Sequence, residues 1–483
     1  MATLSLTGML RRSLVHRRAR SVSALVAMTV SAGVATALFC AAHGAVVTAT
    51  ESRTEAEIEE NVAKLRAAGV TLELGGHHEK TFLQQDLIVP SPGVPADFPM
   101  LLAARANDIT IWSEIELAYR FLHETLIGIT GSNGKTTTTA LVEHILRNAE
   151  FPTVLAGNIG TPLISCVENT KRNSVTVVEL SSFQLELIET FRPNIGLFLN
   201  LTPDHLDRHR SMEIYGAAKA RIFENQTEED AAILNADDPA VTRYTPAGPR
   251  VYWFSRKQRV AQGAYLHGDD LVFRDDGAEE TILRRSEIPL VGAHNLDNVL
   301  AAVAATRMAG ASATAIAQGI RSFAGVEHRL EFVAEIGGVR YYNDSKATNV
   351  DATLKALDAF PGHILIILGG KDKGSDYTVL QKPLREKAVL ALLIGAASEK
   401  IEKQISGSVA IERAETLERA VETASRAARP GDVVLLAPAC ASFDQFENYE
   451  HRGRVFKDLV RRLQPQGTSV IAGKSAPTAS GRS

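Results

Sequence analysis

Cysteine is scarce in this chain. Cys40, Cys166 and Cys440 are the three among 483 residues, far apart and odd in number. That excludes a disulfide framework and a zinc-ligand spacing, and it suits a reducing cytoplasm. All three read as small buried hydrophobes. An excess of one charge is also missing, with 52 Lys and Arg against 56 Asp and Glu and a formal net charge of −4. Such a balance gives no electrostatic ground for a nucleic-acid partner. No internal repeat stands out. What remains is a globular composition, 45% hydrophobic and 22% charged, in a chain too long for one ordinary core, so two or three domains are expected.

One long segment lacks formal charge altogether, from Ser21 to Thr50, and Arg11, Arg12, Arg18 and Arg20 precede it. A basic flank before an apolar stretch such as Ser23 to Ala42 reads as a signal peptide or anchor. It reads equally well as the buried first strand and helix of an α/β domain. The pattern that follows favours the second reading. Ala45 to Thr50 is a short β-branched run, Glu55 to Ala68 an amphipathic helix, and Leu87 to Pro90 a strand ending in the turn Ser91-Pro92-Gly93-Val94. This alternation predicts a small α/β unit to about residue 120.

A second unit opens with a strand at Leu126 to Thr130, with further apolar runs at Val175 to Val178 and Ile195 to Leu199. Helical segments such as Thr138 to Asn148 lie between them, which is doubly wound parallel-sheet patterning. A third unit starts near Val326 and holds strands at His363 to Leu368, Val389 to Ile394 and Asp432 to Ala437. The segment from Pro465 is rich in Ser, Gly, Thr and Ala and reads as a disordered tail.

The strongest single signal is Thr130-Gly131-Ser132-Asn133-Gly134-Lys135-Thr136-Thr137, which follows a strand and opens a helix. Glycines let backbone N–H groups close around phosphate oxygens, and the helix N-terminus adds partial positive charge. Lys135 is placed to bridge the β- and γ-phosphates of ATP, and the Thr136 hydroxyl to sit on Mg²⁺. Glu179 ends the next strong strand, beside that loop, where a carboxylate can hold Mg²⁺. His205 lies in Asn200-Leu201-Thr202-Pro203-Asp204-His205-Leu206-Asp207-Arg208-His209 and is a candidate metal ligand. Lys219, read from its own surroundings, is a solvated helix lysine.

Together with Gly157-Asn158-Ile159-Gly160, Tyr215 to Lys219, Asn235 to Asp238, Gly292 to Asn298, His328 to Glu331 and Asn343 to Asn349, these stretches resemble the Mur ligase family. The resemblance spans about Gly33 to Arg462. It implies a three-domain α/β architecture: a Rossmann-like UDP-substrate domain (1–120, with 1–21 an unplaced extension), a central P-loop ATPase (121–325), and a Rossmann-like C-terminal amino-acid domain (326–464), followed by the tail 465–483. Gly369 to Gly374 and Pro438 to Gly453 are similar to the branch that adds D-glutamate, and the Asp-Asn-Pro-Arg motif of the diamino-acid-adding branch is absent. The family's opening Gly-x-Gly-x-x-Gly-like turn is also absent, since Val22 to Gly33 holds one glycine.

Residue by residue, the resemblance implies that Lys219 is carbamylated and joins His205 on a second Mg²⁺. It puts Asn295 and Asn298 on the adenine side of ATP, with Arg329 and Asp344 closing on the nucleotide. Lys346, Thr348, Lys373, Ser442 and Tyr449 would recognise D-glutamate, as donors and cations suit a dicarboxylate. Glu51, Ser52 and Arg53 match the uridine side, and Asn158 and Ser181 the muramoyl-alanine part. The implied activity is ATP-dependent amide-bond formation between UDP-N-acetylmuramoyl-L-alanine and D-glutamate through an acyl phosphate, by a cytoplasmic monomer without membrane insertion. Two other readings stand beside it, a folylpolyglutamate synthase-like ligase and a non-catalytic, membrane-tethered nucleotide-binding protein.

Overall fold

The computed structural model describes residues 22–27 and 31–463. The basic flank, the extension 1–21, the tail 465–483 and positions 28–30 of the Val22 to Gly33 stretch lie outside the described residues.

Three sheets follow one another along the chain. The first orders β1 (Ser23–Ala27), β2 (Val46–Glu51), β3 (Thr71–Leu74), β4 (Leu87–Val89) and β5 (Thr110–Ile111) as β3-β2-β1-β4-β5. Every pairing is parallel. Strands covered on both faces must be apolar throughout, and β1 is the central one. Ala24, Leu25 and Val26 are buried, so the uncharged run is core and not an anchor. The helix Ser31–Ala42 packs beside it, and among the described residues no helix is long and apolar enough to cross a membrane. The helix expected over Glu55 to Ala68 is interrupted. Glu57 accepts from the Thr54 backbone N–H at 2.7 Å and holds one tight turn, and the α-helix proper is Glu59–Ala67.

The second sheet contains β6 (Thr125–Thr130), β7 (Thr153–Gly157), β8 (Val175–Glu179), β9 (Ile195–Phe198), β10 (Ala231–Asn235), β11 (Arg250–Ser255), β12 (Gly263–His267), β13 (Asp270–Asp275) and β14 (Ala278–Arg284). Their order is β14-β13-β12-β11-β10-β9-β6-β8-β7. From β7 to β12 all pairs are parallel, as the doubly wound pattern requires, but β12-β13-β14 is an antiparallel meander. Sequence reading missed it because its apolar runs are at most three residues long, Ala264 to Leu266, Leu271 to Phe273 and Ile282 to Leu283, and are flanked by charged and polar residues. A two-residue Asp276-Gly277 turn with φ of 47° and 84° closes its last hairpin, the left-handed pair whose twist matches the strands.

The third sheet, in a separate compact unit, orders β15 (Glu331–Ile336), β16 (Val339–Asn343), β17 (Ile364–Gly369), β18 (Ala388–Ile394), β19 (Ala410–Glu415) and β20 (Val433–Leu436) as β15-β16-β20-β17-β18-β19. Only β15 is antiparallel to its neighbour. In each sheet some of the residues singled out by sequence, Glu51 ending β2, Glu179 ending β8 and Asp344 just after β16 among them, sit at the C-terminal ends of parallel strands, where open α/β sheets form their ligand crevices.

Candidate functional site

The phosphate loop leaves β6 at Thr130, and its helix begins at Lys135, three residues earlier than the apolar periodicity predicted, with Gly134 as the left-handed cap. The loop is shaped by the segment leaving β9. Asn200 accepts from the Ser132 N–H through its carbonyl at 2.9 Å and from the Asn133 N–H through Oδ1 at 2.8 Å. Asn200 Nδ2 donates back to the Asn133 carbonyl at 3.0 Å. The Ser132 hydroxyl donates to the Thr202 carbonyl and accepts from the Thr202 N–H, each at 3.0 Å. Asn200 and Thr202 received no role from the sequence; the signal available was their position directly after an apolar strand beside β6.

Two lysines converge on one carbonyl. Lys135 Nζ donates to Gly131 O at 2.8 Å and to Ser132 O at 3.1 Å, and Lys219 Nζ donates to the same Gly131 O at 2.9 Å. Lys219 is 1% exposed, its amine 4.6 Å from the centre of the Tyr215 ring. The solvated helix lysine read from the sequence is therefore corrected: the helix Met212–Ala220 turns this side chain inward. Burial, and then the charge of Lys135, push its pKa well below the ordinary lysine value, while Asp204 and Glu179 act the other way. Burial and a neighbouring cation both disfavour the charged form of an amine.

Glu179 is 3% exposed at the end of β8 and pairs in register with Ile129 of β6. Its Oε1 accepts from Asn158 Nδ2 at 3.1 Å, and its backbone carbonyl from the Asn158 N–H at 2.9 Å. Among the described residues its Oε2 is buried with no hydrogen-bond partner. An unpaired buried carboxylate oxygen is costly, and beside a phosphate loop its natural complement is a hard divalent cation. The residues present thus fit Mg²⁺. Ser181 caps the helix Ser182–Leu185, its N–H and hydroxyl both directed to Gln184 Oε1 at 2.9 Å. His205 is half exposed, in the left-handed region at φ 52°, with Phe183 5.0 Å away between ring centres.

Asn298 and Asn295 lie on the helix Ala293–Met308, both buried. Asn298 donates to Asn295 Oδ1 at 3.1 Å and accepts from the Thr138 hydroxyl at 3.3 Å, and a Cβ on Gly134 would meet its Oδ1 at 2.2 Å. It therefore backs the phosphate loop itself. On the first sheet, Glu51 ends β2 almost fully buried, accepting from the Ser52 hydroxyl at 3.1 Å and from Arg53 Nη2 at 2.9 Å. Burial raises its pKa, but the bonds from Arg53 and Ser52 outweigh that and hold the carboxyl below its usual range.

The third sheet gathers a second group. Asp344 follows β16 and is buried, and its Oδ1 accepts from the Leu330 N–H at 3.2 Å. Burial pushes its pKa up to about 7 against the lowering effects of Arg329 and of that bond. Lys346 Nζ stands 5.3 Å from the centre of the Tyr449 ring, and the Thr348 N–H donates to Lys346 O at 2.8 Å. The loop after β17, carrying exposed Lys373, is zipped to the loop after β20, carrying Ser442, by Lys371 N–H to Ala441 O at 2.8 Å and Ala441 N–H to Lys371 O at 3.2 Å. Arg452, fully buried, ties these parts together. It donates to the Ser345 hydroxyl (3.0 Å), the Ser345 carbonyl (2.8 Å) and the Cys440 carbonyl (3.2 Å). Sequence reading missed it, because an arginine in the polar helix Tyr449–Arg462 looks like a surface residue.

Comparison with known proteins adds the following. The MurD-like N-terminal domain of Mur ligases matches residues 27–113, the Mur ligase middle domain 129–306, and the Mur ligase glutamate ligase domain 328–440. The chain is 54% identical to the UDP-N-acetylmuramoylalanine–D-glutamate ligase of Acidobacterium capsulatum over 92% of its own length and 96% of the relative. It is 52% identical to that of Koribacter versatilis, over 90% and 96%. Among solved structures, the MurF ligase of Thermotoga maritima in complex with ADP superposes with a TM-score of 0.56 at 16% identity, covering 92% of this chain and 96% of that one.

Proposed function

The chain belongs to the Mur ligase family, and on that premise we propose that it joins D-glutamate to UDP-N-acetylmuramoyl-L-alanine at the expense of ATP, in the synthesis of peptidoglycan precursors. The observation that carries this reading is identity above 50%, along almost the whole length, to two ligases named for that reaction. The folate reading has no comparable support, and the tethered nucleotide-binding reading loses its basis once Ser23–Ala27 is the central strand of a sheet.

The chemistry divides into two displacements. A carboxylate oxygen of the L-alanyl group attacks the γ-phosphorus of ATP, the bond to ADP breaks, and an acyl phosphate forms. The D-glutamate amine then attacks the acyl carbon, phosphate leaves with the former carboxylate oxygen, and the amine loses a proton. The main obstacle is that both reactants of the first step are anions. Backbone N–H groups of Gly131, Gly134, Thr136 and Thr137 and the ammonium of Lys135 bind the phosphates, while Ser132 and Asn133, whose N–H groups are held by Asn200, shape the loop around them. Thr136 and Glu179 would hold one Mg²⁺, and His205 and Lys219 would hold another. When bound, these ions neutralise the charge that keeps the two anions apart.

For Lys219 to serve, its neutral amine adds CO₂ and releases a proton, which turns a cation site into an anion site; the displaced lysine pKa supports this. Asn158 orients Glu179 and, with Ser181, faces the muramoyl-alanine part. Glu51, Ser52 and Arg53 take the uridine side, Asn295 and Asn298 support the nucleotide, and Arg329 and Asp344 act on it from the C-terminal domain. Lys346, Thr348, Lys373, Ser442 and Tyr449 hold D-glutamate. These roles follow domain boundaries that we draw at 120/121 and 325/326. We place the reaction in the cytoplasm and take the enzyme as a monomer; nucleotide substrates and three free, buried thiols support the first.

Phosphate release from ATP, measured with UDP-N-acetylmuramoyl-L-alanine in the presence and absence of D-glutamate, tests the proposal. Release that depends on D-glutamate and matches amide formation is expected; equal release in both would sink it.

A further inference from the structure

His205 sits on a single helical turn, Leu206–His209, and a four-residue turn cannot hold its own position. Its anchors are the next side chains. The His209 ring stacks on Phe183 (centroids 5.4 Å apart, planes at 19°), and its Nε2 is 2.9 Å from the Ser182 hydroxyl. Arg208 reaches further. Its Nη1 donates to Pro92 O at 2.9 Å and its Nη2 to Val94 O at 3.1 Å, with Gly93 O at 3.3 Å from Nη1. The same Nη2 donates to Glu186 Oε2 at 2.7 Å, and the guanidinium lies over the Phe183 ring at 4.1 Å.

The acceptors belong to the turn Ser91 to Val94 that follows β4, at the ligand edge of the first sheet. The Arg208 and His209 N–H groups both donate to His205 O, at 3.1 and 3.0 Å. One planar cation therefore fastens three consecutive carbonyls of the first sheet's turn to the backbone of His205. A guanidinium suits this task, because it presents several donors in a fixed fork where an ammonium offers one point.

We propose that Arg208 is a positioning residue that makes the Ser91 to Val94 turn and the His205 loop move as one, so that seating of the UDP-sugar substrate sets the place of His205. Its kinetic consequence rests on the ligase reading; the mechanical coupling does not. The neighbouring Arg210, which pairs with Asp97 at 2.8 Å with both side chains largely exposed, provides the control.

The test compares the full-length wild type, Arg208→Ala and Arg210→Ala by amide hydrogen exchange and steady-state kinetics. In Arg208→Ala, exchange quickens together at Val94 and at residues 205–209, and kcat falls by about a hundredfold, the scale of a misplacement near 1 Å. The KM for the UDP-sugar rises by about tenfold, as expected when a charged hydrogen-bond donor is removed. ADP binding by the phosphate loop stays unchanged, and Arg210→Ala resembles wild type throughout. Loosening confined to one of the two segments would overturn the coupling. So would unchanged kinetics in Arg208→Ala, or ADP affinity lost in parallel with kcat. If wild type forms no amide, the ligase reading fails while the exchange data still decide the coupling. Should Arg208→Ala not fold, Arg208→Lys carries the same test, with both segments loosening to a smaller degree and tight exchange at both counting against the proposal.

Discussion

Gly134→Ala is the most informative single change in the phosphate loop. Gly134 caps the helix at φ 80°, and an added Cβ would stand 2.2 Å from Asn298 Oδ1. The left-handed conformation costs an alanine about 1–2 kcal/mol. The clash is harder to relieve, since Asn298 is buried and holds both Thr138 and Asn295. Moving it strands buried polar groups, at about 1–3 kcal/mol. The chain escapes both penalties by opening the loop, so the combined loss of about 2–5 kcal/mol appears as nucleotide affinity, roughly 30- to 5,000-fold weaker. Calorimetric titration with ADP measures it. Gly268→Ala is the control, with φ 63° and nothing within 4 Å of its Cβ, so it carries the backbone strain without the clash. Wild-type ADP affinity in Gly134→Ala, or an equal loss in Gly268→Ala, would refute the reasoning.

Three other outcomes are expected. With ¹³C-labelled bicarbonate, wild type gives a carbamate carbon resonance that Lys219→Arg lacks; an identical spectrum from both would remove the carbamate. Asp344, with a pKa raised to about 7 by burial, keeps its proton in the folded chain where the unfolded chain has lost it. Its contribution to stability therefore falls as pH rises from about 4 to 7, and Asp344→Asn should gain on wild type in Tm at pH 8 but not at pH 4. Arg452→Ala leaves the Ser345 and Cys440 carbonyls without their donor, at a cost of about 3 kcal/mol or more. Thermal unfolding should show a fall of several degrees, with a raised KM for D-glutamate and an unchanged KM for ATP.

The parts of this molecule that were legible in its sequence are those where local geometry dictates residue type. The phosphate loop needs glycine at 131 and 134, where φ is 154° and 80°, and a lysine at the first helical position, so the sequence displays it openly. Glu179 was legible because it ends an apolar strand in a run that otherwise forbids charge. The uncharged N-terminal run was ambiguous by itself; the α/β alternation after it favoured a buried strand, and β1 is paired on both sides. What stayed hidden depends on partners distant in the chain. Lys219 is buried against Gly131, 88 residues away, and Arg452 against Ser345, 107 residues away. Neither has a local pattern that marks it as buried. The meander β12 to β14 escaped for a different reason, since its short apolar runs are bounded by charged and polar residues and read as surface loop.

The central claim is that a carboxylate oxygen of the UDP-sugar peptide passes to phosphorus before the amide forms. Synthesis from UDP-N-acetylmuramoyl-L-alanine labelled with ¹⁸O in its alanyl carboxylate tests this directly, with the released phosphate read by mass spectrometry. Transfer of one labelled oxygen to inorganic phosphate for each amide bond made is the predicted result; amide formed with unlabelled phosphate would contradict the account.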